Sequence, residues 1–248
     1  MLSQIKQAAP LIHCITNYVV ANFSANGLLA VGASPIMADE IKEVSEVVSS
    51  SDGVLINIGT VNDFTIESML VAGKKANELN IPIVLDPVGV GATDYRKRVV
   101  RRLLKEVKFN LIRCNAGELA SIAGADWQAK GVDSGEGFVN TDTLAQEVAL
   151  KYGCMVAVTG RTDFLTDGHA EYLIRGGNET ATHITGMGCL LSAICAASIA
   201  SSNRKEELKS LASTLKDYKK AAELSSDENG SFIAQFIDNV QKIAEVKK

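Results

Sequence analysis

The chain has no free-standing block of positive charge. Its densest basic stretch, Arg96-Lys97-Arg98 with Arg101-Arg102, is interleaved with Val99, Val100, Leu103 and Leu104. That is the pattern of an amphipathic helix with a solvated basic side. Nucleic-acid binding calls for a clustered basic face, and the net charge here is −4, so no nucleic-acid partner is expected. No pair among Cys14, Cys114, Cys154, Cys189 and Cys195 has C-x-x-C spacing. This argues against a zinc site or a disulfide framework and fits reduced thiols in a cytoplasmic protein. The first residues lack a basic region followed by an apolar run, so no signal peptide is expected. The longest apolar stretch, 186–200, is short for a membrane span and rich in small residues, so it reads as a buried helix. Two nucleotide-binding signatures are also missing. There is no G-x-x-x-x-G-K-[ST], and Gly89-Val90-Gly91 is not a dinucleotide fingerprint, because its third glycine would fall at Asp94.

What is present is an alternation of short apolar runs and helical patterns. Strands are expected at 11–15, 35–38, 53–58, 82–86, 109–113 and 155–159. Each run is continuous rather than alternating, as in strands covered on both faces. Helices are expected to start at Asn17, Asp39, Asn62 and Asn115, the last with Glu118 three residues on as a possible capping-box partner. Residues 164–174 read as a hairpin turning at Asp167-Gly168, and the chain from Gly188 onward reads as mostly helical. With no internal repeat and no low-complexity linker, this order specifies one α/β domain over 1–248. Its architecture is three layers, α/β/α, with a mainly parallel central sheet. The polar segment 126–141, which carries Trp127, reads as a surface loop or lid.

Ligands of open α/β sheets bind at the carboxyl ends of the strands. That rule selects Asn17, Asn57, Gly59, the stretch 86–93, Arg113, Asn115, Glu118, Thr159 and Gly160, although turns in general carry such residues. The strongest local signal is Thr185-Gly186-Met187-Gly188-Cys189. A glycine-rich turn that feeds a helix offers free amides to an anion, aided by the helix dipole. Taken alone, it reads first as a tight turn entering a core helix.

Eight motifs stand in order along the chain. They are Ile12-His13-Cys14-Ile15-Thr16-Asn17, Gly32-Ala33-Ser34-Pro35-Ile36-Met37, Leu55-Ile56-Asn57-Ile58-Gly59-Thr60 and Leu85-Asp86-Pro87-Val88-Gly89-Val90-Gly91-Ala92-Thr93. The others are Ile112-Arg113-Cys114-Asn115-Ala116-Gly117-Glu118, Lys130-Gly131-Val132-Asp133-Ser134, Val158-Thr159-Gly160 and the 185–189 turn. Together they resemble the hydroxyethylthiazole kinase family, thiamine-salvage enzymes of the ribokinase-like superfamily. The resemblance runs from about residue 11 to the Gly230-Ser231-Phe232 segment.

The resemblance implies phosphorylation of the alcohol of 4-methyl-5-(2-hydroxyethyl)thiazole by ATP with Mg2+, in a homotrimer with sites between subunits. Carried over by motif, Met37 and the Gly186 amide contact the thiazole, and Asn17 lies beside that pocket. Arg113 and Thr159 contact ATP, and Asp86 and Glu118 organise magnesium and phosphates. Gly186, Met187, Gly188 and Cys189 form the anion turn. Cys189 stands where many ribokinase-like enzymes carry a catalytic aspartate. At a helix start its thiol pKa should fall, which suits accepting or orienting the substrate hydroxyl proton.

There are two departures from the family pattern. Met187 replaces a small residue or threonine, and its side chain is expected to point away, because the amides do the binding. The lysine-rich stretch 201–226 looks like a diverged version of the family's helical region. Cys189 also bears on the alternatives, since a hydrated-nicotinamide dehydratase or a sugar or pyrimidine kinase of this fold would be expected to carry aspartate at 189. The remaining alternative is a binding protein without turnover. His13 and His169 have no argued role, and His183 reads as a strand-end residue.

Overall fold

The computed structural model describes residues 1–125 and 140–246. Trp127, the Lys130–Ser134 motif and most of the expected lid lie outside these. At its far end, Asn140 accepts from the Asp142 amide and caps a helix over Thr141–Tyr152.

Eight strands form one sheet in the order β2-β1-β3-β4-β5-β6-β7-β8. They are β1 (Leu11–Ile15), β2 (Ser34–Ile36), β3 (Gly53–Asn57), β4 (Ile83–Asp86), β5 (Leu111–Asn115), β6 (Met155–Thr159), β7 (Asp163–Thr166) and β8 (Glu171–Ile174). Strands β2 through β6 are parallel, and β7 and β8 are antiparallel additions at one edge. The expected hairpin is present. Asp167 accepts from the amides of His169 and Ala170, and Gly168 takes φ +92° at the turn.

Helices cover both faces, and the side-chain period of two explains why the strands read as continuous apolar runs. Leu55 and Val84 join one core, while their neighbours Val54, Ile56, Ile83 and Leu85 join the other. The first core packs under α1 (Leu2–Ala8), α2 (Ala21–Ala30), α8 (Met187–Ala200), α9 (Glu207–Glu223) and α10 (Asn229–Glu245). The second packs under α3 (Val44–Ser49), α4 (Asp63–Leu79), α5 (Asp94–Glu106), α6 (Ala116–Ala123) and α7 (Thr141–Tyr152). Helix α8 is the apolar stretch 186–200 and is buried nearly all round, including Leu190, Ile194 and Cys195. Each fully buried Leu or Ile contributes about 2 kcal/mol, so this helix is a main stabiliser of the fold. The lysine-rich 201–226 stretch is helical, as expected. Most of it is α9, which buries Leu211, Leu215, Tyr218 and Ala222 on one face.

Two expected helix starts are correct in detail. Asn62 and Thr65 make a capping box for α4, and Asn115 and Glu118 make one for α6. Two others are not. Helix α2 begins at Ala21, with no side-chain cap from Val20, because Asn17 is buried and its amide is used elsewhere. Helix α3 begins at Val44, after a turn that leaves Ile41 exposed, so Asp39 caps nothing. His183 ends a short 3-10 helix over Glu179–His183 rather than a strand. Helix α1 was not expected, although Leu2 and Ile5 are spaced to share one buried face.

Candidate active site

The parity that fills the two cores also builds the site. On β3, β4, β5 and β6, the residues Leu55, Val84, Leu111 and Ala157 point into the first core, the one that holds α8. Two further steps along each strand bring Asn57, Asp86, Arg113 and Thr159 to the same face at its carboxyl end. The chain turns back between β1 and β3, on either side of which it builds the sheet in opposite directions. Such a switch point opens a crevice. Asn17, just beyond β1, and Asn57, at the end of β3, meet across it.

A continuous polar chain results. Asn17 Nδ2 donates to Asn57 Oδ1 at 3.0 Å and to Cys189 Sγ at 3.5 Å. Asn57 Nδ2 donates to Asp86 Oδ2 at 2.7 Å. Asp86 Oδ1 has no hydrogen-bond partner and faces Arg113 Nη1 at 3.8 Å. The Arg113 guanidinium donates in turn to the Thr159 hydroxyl. Five strand ends are thereby tied into one network.

The start of α8 lies over this chain. Gly186 adopts φ +96°, a conformation that strongly favours glycine, and a Cβ there would meet Val20 at 2.7 Å. The Leu190 amide is the first to bond back, to the Gly186 carbonyl at 2.8 Å. The amides of Met187, Gly188 and Cys189 are therefore the orphan donors of a helix start. The Met187 side chain is buried in the core beneath the turn, as expected, and its carbonyl accepts from the Tyr218 hydroxyl at 2.7 Å. Gly188 has a separate reason to be glycine, since a Cβ there would run into the Arg113 guanidinium.

Burial raises the Asp86 carboxyl to about 6, with Arg113 opposing the shift and Glu118 adding to it. Arg113 is also buried, which opposes its charge, but Asp86 and Glu118 outweigh that and hold it protonated. The lowered thiol expected at Cys189 is not found. Burial and the Asp86 charge push it up to about 11, against hydrogen bonds from Asn57 and Asn17. The helix start is not enough to offset burial together with a nearby carboxylate.

Glu118 bridges two strand-end loops, accepting from the Gly89 and Asn115 amides at 2.9 Å each. With Asp86 it forms a pair of oxygen donors, one atom of which is buried and unpartnered. Among the described residues no three His, Cys, Asp or Glu side chains gather as a metal cage. Two carboxylates without a cage suit a magnesium ion that keeps waters and phosphate oxygens in its shell.

A cavity of about 180 Å³ opens at the switch point, lined by Thr16, Tyr18, Met37, Asn57 and Met69 among others. Met37 is partly exposed, and the neighbouring Ala38 carbonyl accepts from His13 Nε2 at 2.7 Å. A larger cavity of about 680 Å³ lies at the amino ends of the strands, against Asn80, Lys108, Asn110 and Cys154. It touches none of the strand-end network, so position rather than size identifies the site.

Several contributors have no role assigned to them by the sequence. Asn57 is the hub of the chain, and its only signal was its place at a strand end. Arg96 was read as part of a solvated basic face, but its guanidinium turns inward. It donates to the carbonyls of Val88 at 2.5 Å, Gly59 at 2.6 Å and Ile58 at 3.1 Å, locking the β3 and β4 loops together. Tyr218 and His13 act through backbone carbonyls; Tyr218 lies in none of the eight motifs, and His13 lies in the first with no role assigned to it.

A mainly parallel, doubly covered sheet with a glycine-turn helix start over its carboxyl ends defines a ribokinase-like fold. An ADP complex of Bacillus subtilis pyridoxal kinase shares this fold, with a TM-score of 0.62 over 87% of this chain and 92% of that one, at 14% identity. The hydroxyethylthiazole kinase family model matches residues 2–246, and the chain belongs to that family. A hydroxyethylthiazole kinase of Lysinibacillus sphaericus (strain C3-41) is 59% identical over 222 residues, 90% of this chain and 86% of that relative. The structure of a hydroxyethylthiazole kinase from Pyrococcus horikoshii OT3 superposes with a TM-score of 0.86, at 34% identity, covering 98% of this chain and 92% of that one. The chain is thus an enzyme, a kinase with an alcohol acceptor.

Proposed function

We propose that this chain, as one kinase domain, transfers the γ-phosphoryl group of ATP to the hydroxyl of 4-methyl-5-(2-hydroxyethyl)thiazole in thiamine salvage. The observation that carries the reading is the side-chain network from Asn17 to Thr159 beneath the free amides of residues 187–189. It joins a small, mainly apolar cavity to a fork of phosphate donors. In this reading Met37, Asn17 and the Gly186 amide hold the thiazole alcohol. Arg113 and Thr159 hold ATP phosphates, with the bidentate geometry that a guanidinium offers. The amides of Met187, Gly188 and Cys189 face the oxygens on which charge builds. Asp86 and Glu118 would hold magnesium together with phosphate oxygens and water, and the ion would supply neutralisation of phosphate charge.

Cys189 is the group beside the reacting hydroxyl. Its thiol is protonated at neutral pH and already accepts from Asn17, so it orients the hydroxyl in preference to acting as a preformed thiolate. A loose transition state asks little of a base. Cys189→Ala is expected to lower kcat about tenfold and leave KM for ATP within a factor of about two. An unchanged kcat would remove Cys189 from the chemistry.

Tyr18, which lines the cavity, is exposed, as are Val19, Ile41 and Phe64, each within two residues in sequence of a lining residue. Exposed large apolar side chains in these segments support a homotrimer with sites between subunits. No described helix is long and apolar enough to cross a membrane, in keeping with the proposed cytoplasmic location. The deciding experiment supplies ATP, magnesium and a panel of small alcohols and measures ADP. The thiazole alcohol is expected to give the highest kcat/KM. Nucleotide binding without turnover on any alcohol would favour a binding protein.

A further inference from the structure

Helix α9 reaches the site at two adjacent residues. Tyr218 holds the Met187 carbonyl, as described. Lys219 enters on the other side, between the turn that follows β6 and the segment that follows β8. Its ammonium donates to the Gly160 carbonyl at 3.1 Å, the Gly176 carbonyl at 3.3 Å and the Arg161 carbonyl at 3.5 Å. It also pairs with Asp163 Oδ1 at 3.1 Å, where both side chains are largely withdrawn from water. That carboxylate oxygen in turn accepts from the Gly160 amide at 3.0 Å. The stem is enclosed as well. Gly177, at φ +99°, would bring a Cβ to 3.6 Å from Lys219 Cγ, and the Gly177 amide donates to Glu223 one turn further along α9.

Four oxygens from two chain segments thus surround one positive charge. Three are neutral carbonyls and one is anionic, so the cage carries a single negative charge, matched by a single cation. An ammonium has three donors, and here it does what a monovalent ion does among carbonyl oxygens: it draws together backbone dipoles that otherwise repel. Gly160 directly follows Thr159, whose hydroxyl is joined to Arg113.

We propose that Lys219 is a positioning residue whose ammonium serves as a built-in monovalent cation, fixing the Gly160 turn and through it the Thr159–Arg113 pair that receives ATP. The inference rests on the assignment of Thr159 and Arg113 to the nucleotide. Truncation at 219 leaves an oxygen-lined vacancy of the charge and size that a potassium or ammonium ion fills.

The test is Lys219→Ala, assayed in the full chain with potassium, ammonium or tetramethylammonium chloride, each at about 0.1 M to equalise screening. In tetramethylammonium, KM for ATP is expected to rise about tenfold, with kcat and KM for the thiazole alcohol within a factor of about three. Tm is expected to fall by about 10 °C, because a largely buried carboxylate loses its partner. Potassium or ammonium should restore most of both losses, while the wild type responds equally to all three salts. Equal rescue by tetramethylammonium, or loss shared by both substrates, would overturn the inference. Thr159→Val separates the two layers. If it raises KM for ATP and Lys219→Ala does not, the role of Lys219 is wrong. If neither does, the nucleotide assignment itself fails. Lys219→Arg, whose planar fork cannot fill a compact cage, should resemble Lys219→Ala but without salt rescue.

Discussion

Asp86→Asn is expected to melt at a higher temperature than the wild type at pH 7 to 8 while losing at least about a hundredfold in kcat/KM. Asp86 is fully buried, and its carboxyl is raised from 3.8 to about 6. A folded-state value above the unfolded one means that the folded protein prefers the protonated form. The associated stability is present in full below about pH 4 and is lost as the pH climbs through about 6. The shift corresponds to about 3 kcal/mol at most. Asparagine is neutral at every pH and can still accept from Asn57, so it escapes that loss. Part of the gain is offset because Arg113 loses its anionic partner. A net gain of about 1 to 2 kcal/mol would raise Tm by several degrees in a chain of this size. The difference in Tm between variant and wild type should therefore be small near pH 4 and widen up to about pH 7. A variant that melts lower than the wild type throughout would mean that the contact with Arg113 outweighs the cost of burying the charge. Activity fails for the complementary reason. The proposed metal-organising pair loses one of its two anions, and Arg113 loses the group that aims it. The instability of an ionised Asp86 in the empty site is thus the counterpart of its use once cations and phosphates arrive.

Gly188→Ala is expected to cost about a hundredfold in kcat/KM with little change in Tm. Gly188 lies in the first turn of α8 without a positive φ, so the backbone accepts alanine. What cannot accept it is Arg113, whose Nη2 and Cζ would lie 2.9 Å from the new Cβ. The guanidinium is held by Asp86 on one side and Thr159 on the other, so a displacement breaks one or both contacts. The loss should appear mainly in KM for ATP, because the donors displaced are those assigned to phosphate, with a smaller loss in kcat. Circular dichroism and Tm near those of the wild type would confine the damage to the site. A variant with unchanged KM for ATP would show that Arg113 has room to move, or that it does not meet the nucleotide.

These two positions also show how legible the site was in the sequence. Asp86 and Arg113 were selectable because a sheet of this type places ligands at strand ends, and both residues end apolar runs. Glu118 could be read as the capping partner of Asn115, and the structure gives it that role together with a bond from Gly89. Arg96 misled because the helical period assigns a face to the Cα and says little about where a long side chain carries its charge. The Cys189 thiol moved opposite to expectation for a related reason. Its helix start is encoded locally, whereas the carboxylate and the burial that raise its pKa come from β4 and from the fold as a whole. The sequence offers Asn17 both as a helix cap and as a strand-end residue, and only the cap fails, since nothing near it in sequence discloses Asn57, 40 residues away.

The sequence by itself determined the layers, the strands and the glycine turn, because side-chain period, capping residues and positive-φ positions act within a few residues of one another. It also carried the family, through the order of its motifs. Only the tertiary structure decided that Asn57 is the hub, that Arg96 faces inward, and that the lysine-rich helix delivers Tyr218 and Lys219 to the site. Those outcomes depend on which distant backbone carbonyls and charges a long polar side chain meets, and that is fixed by the crossing of elements in space.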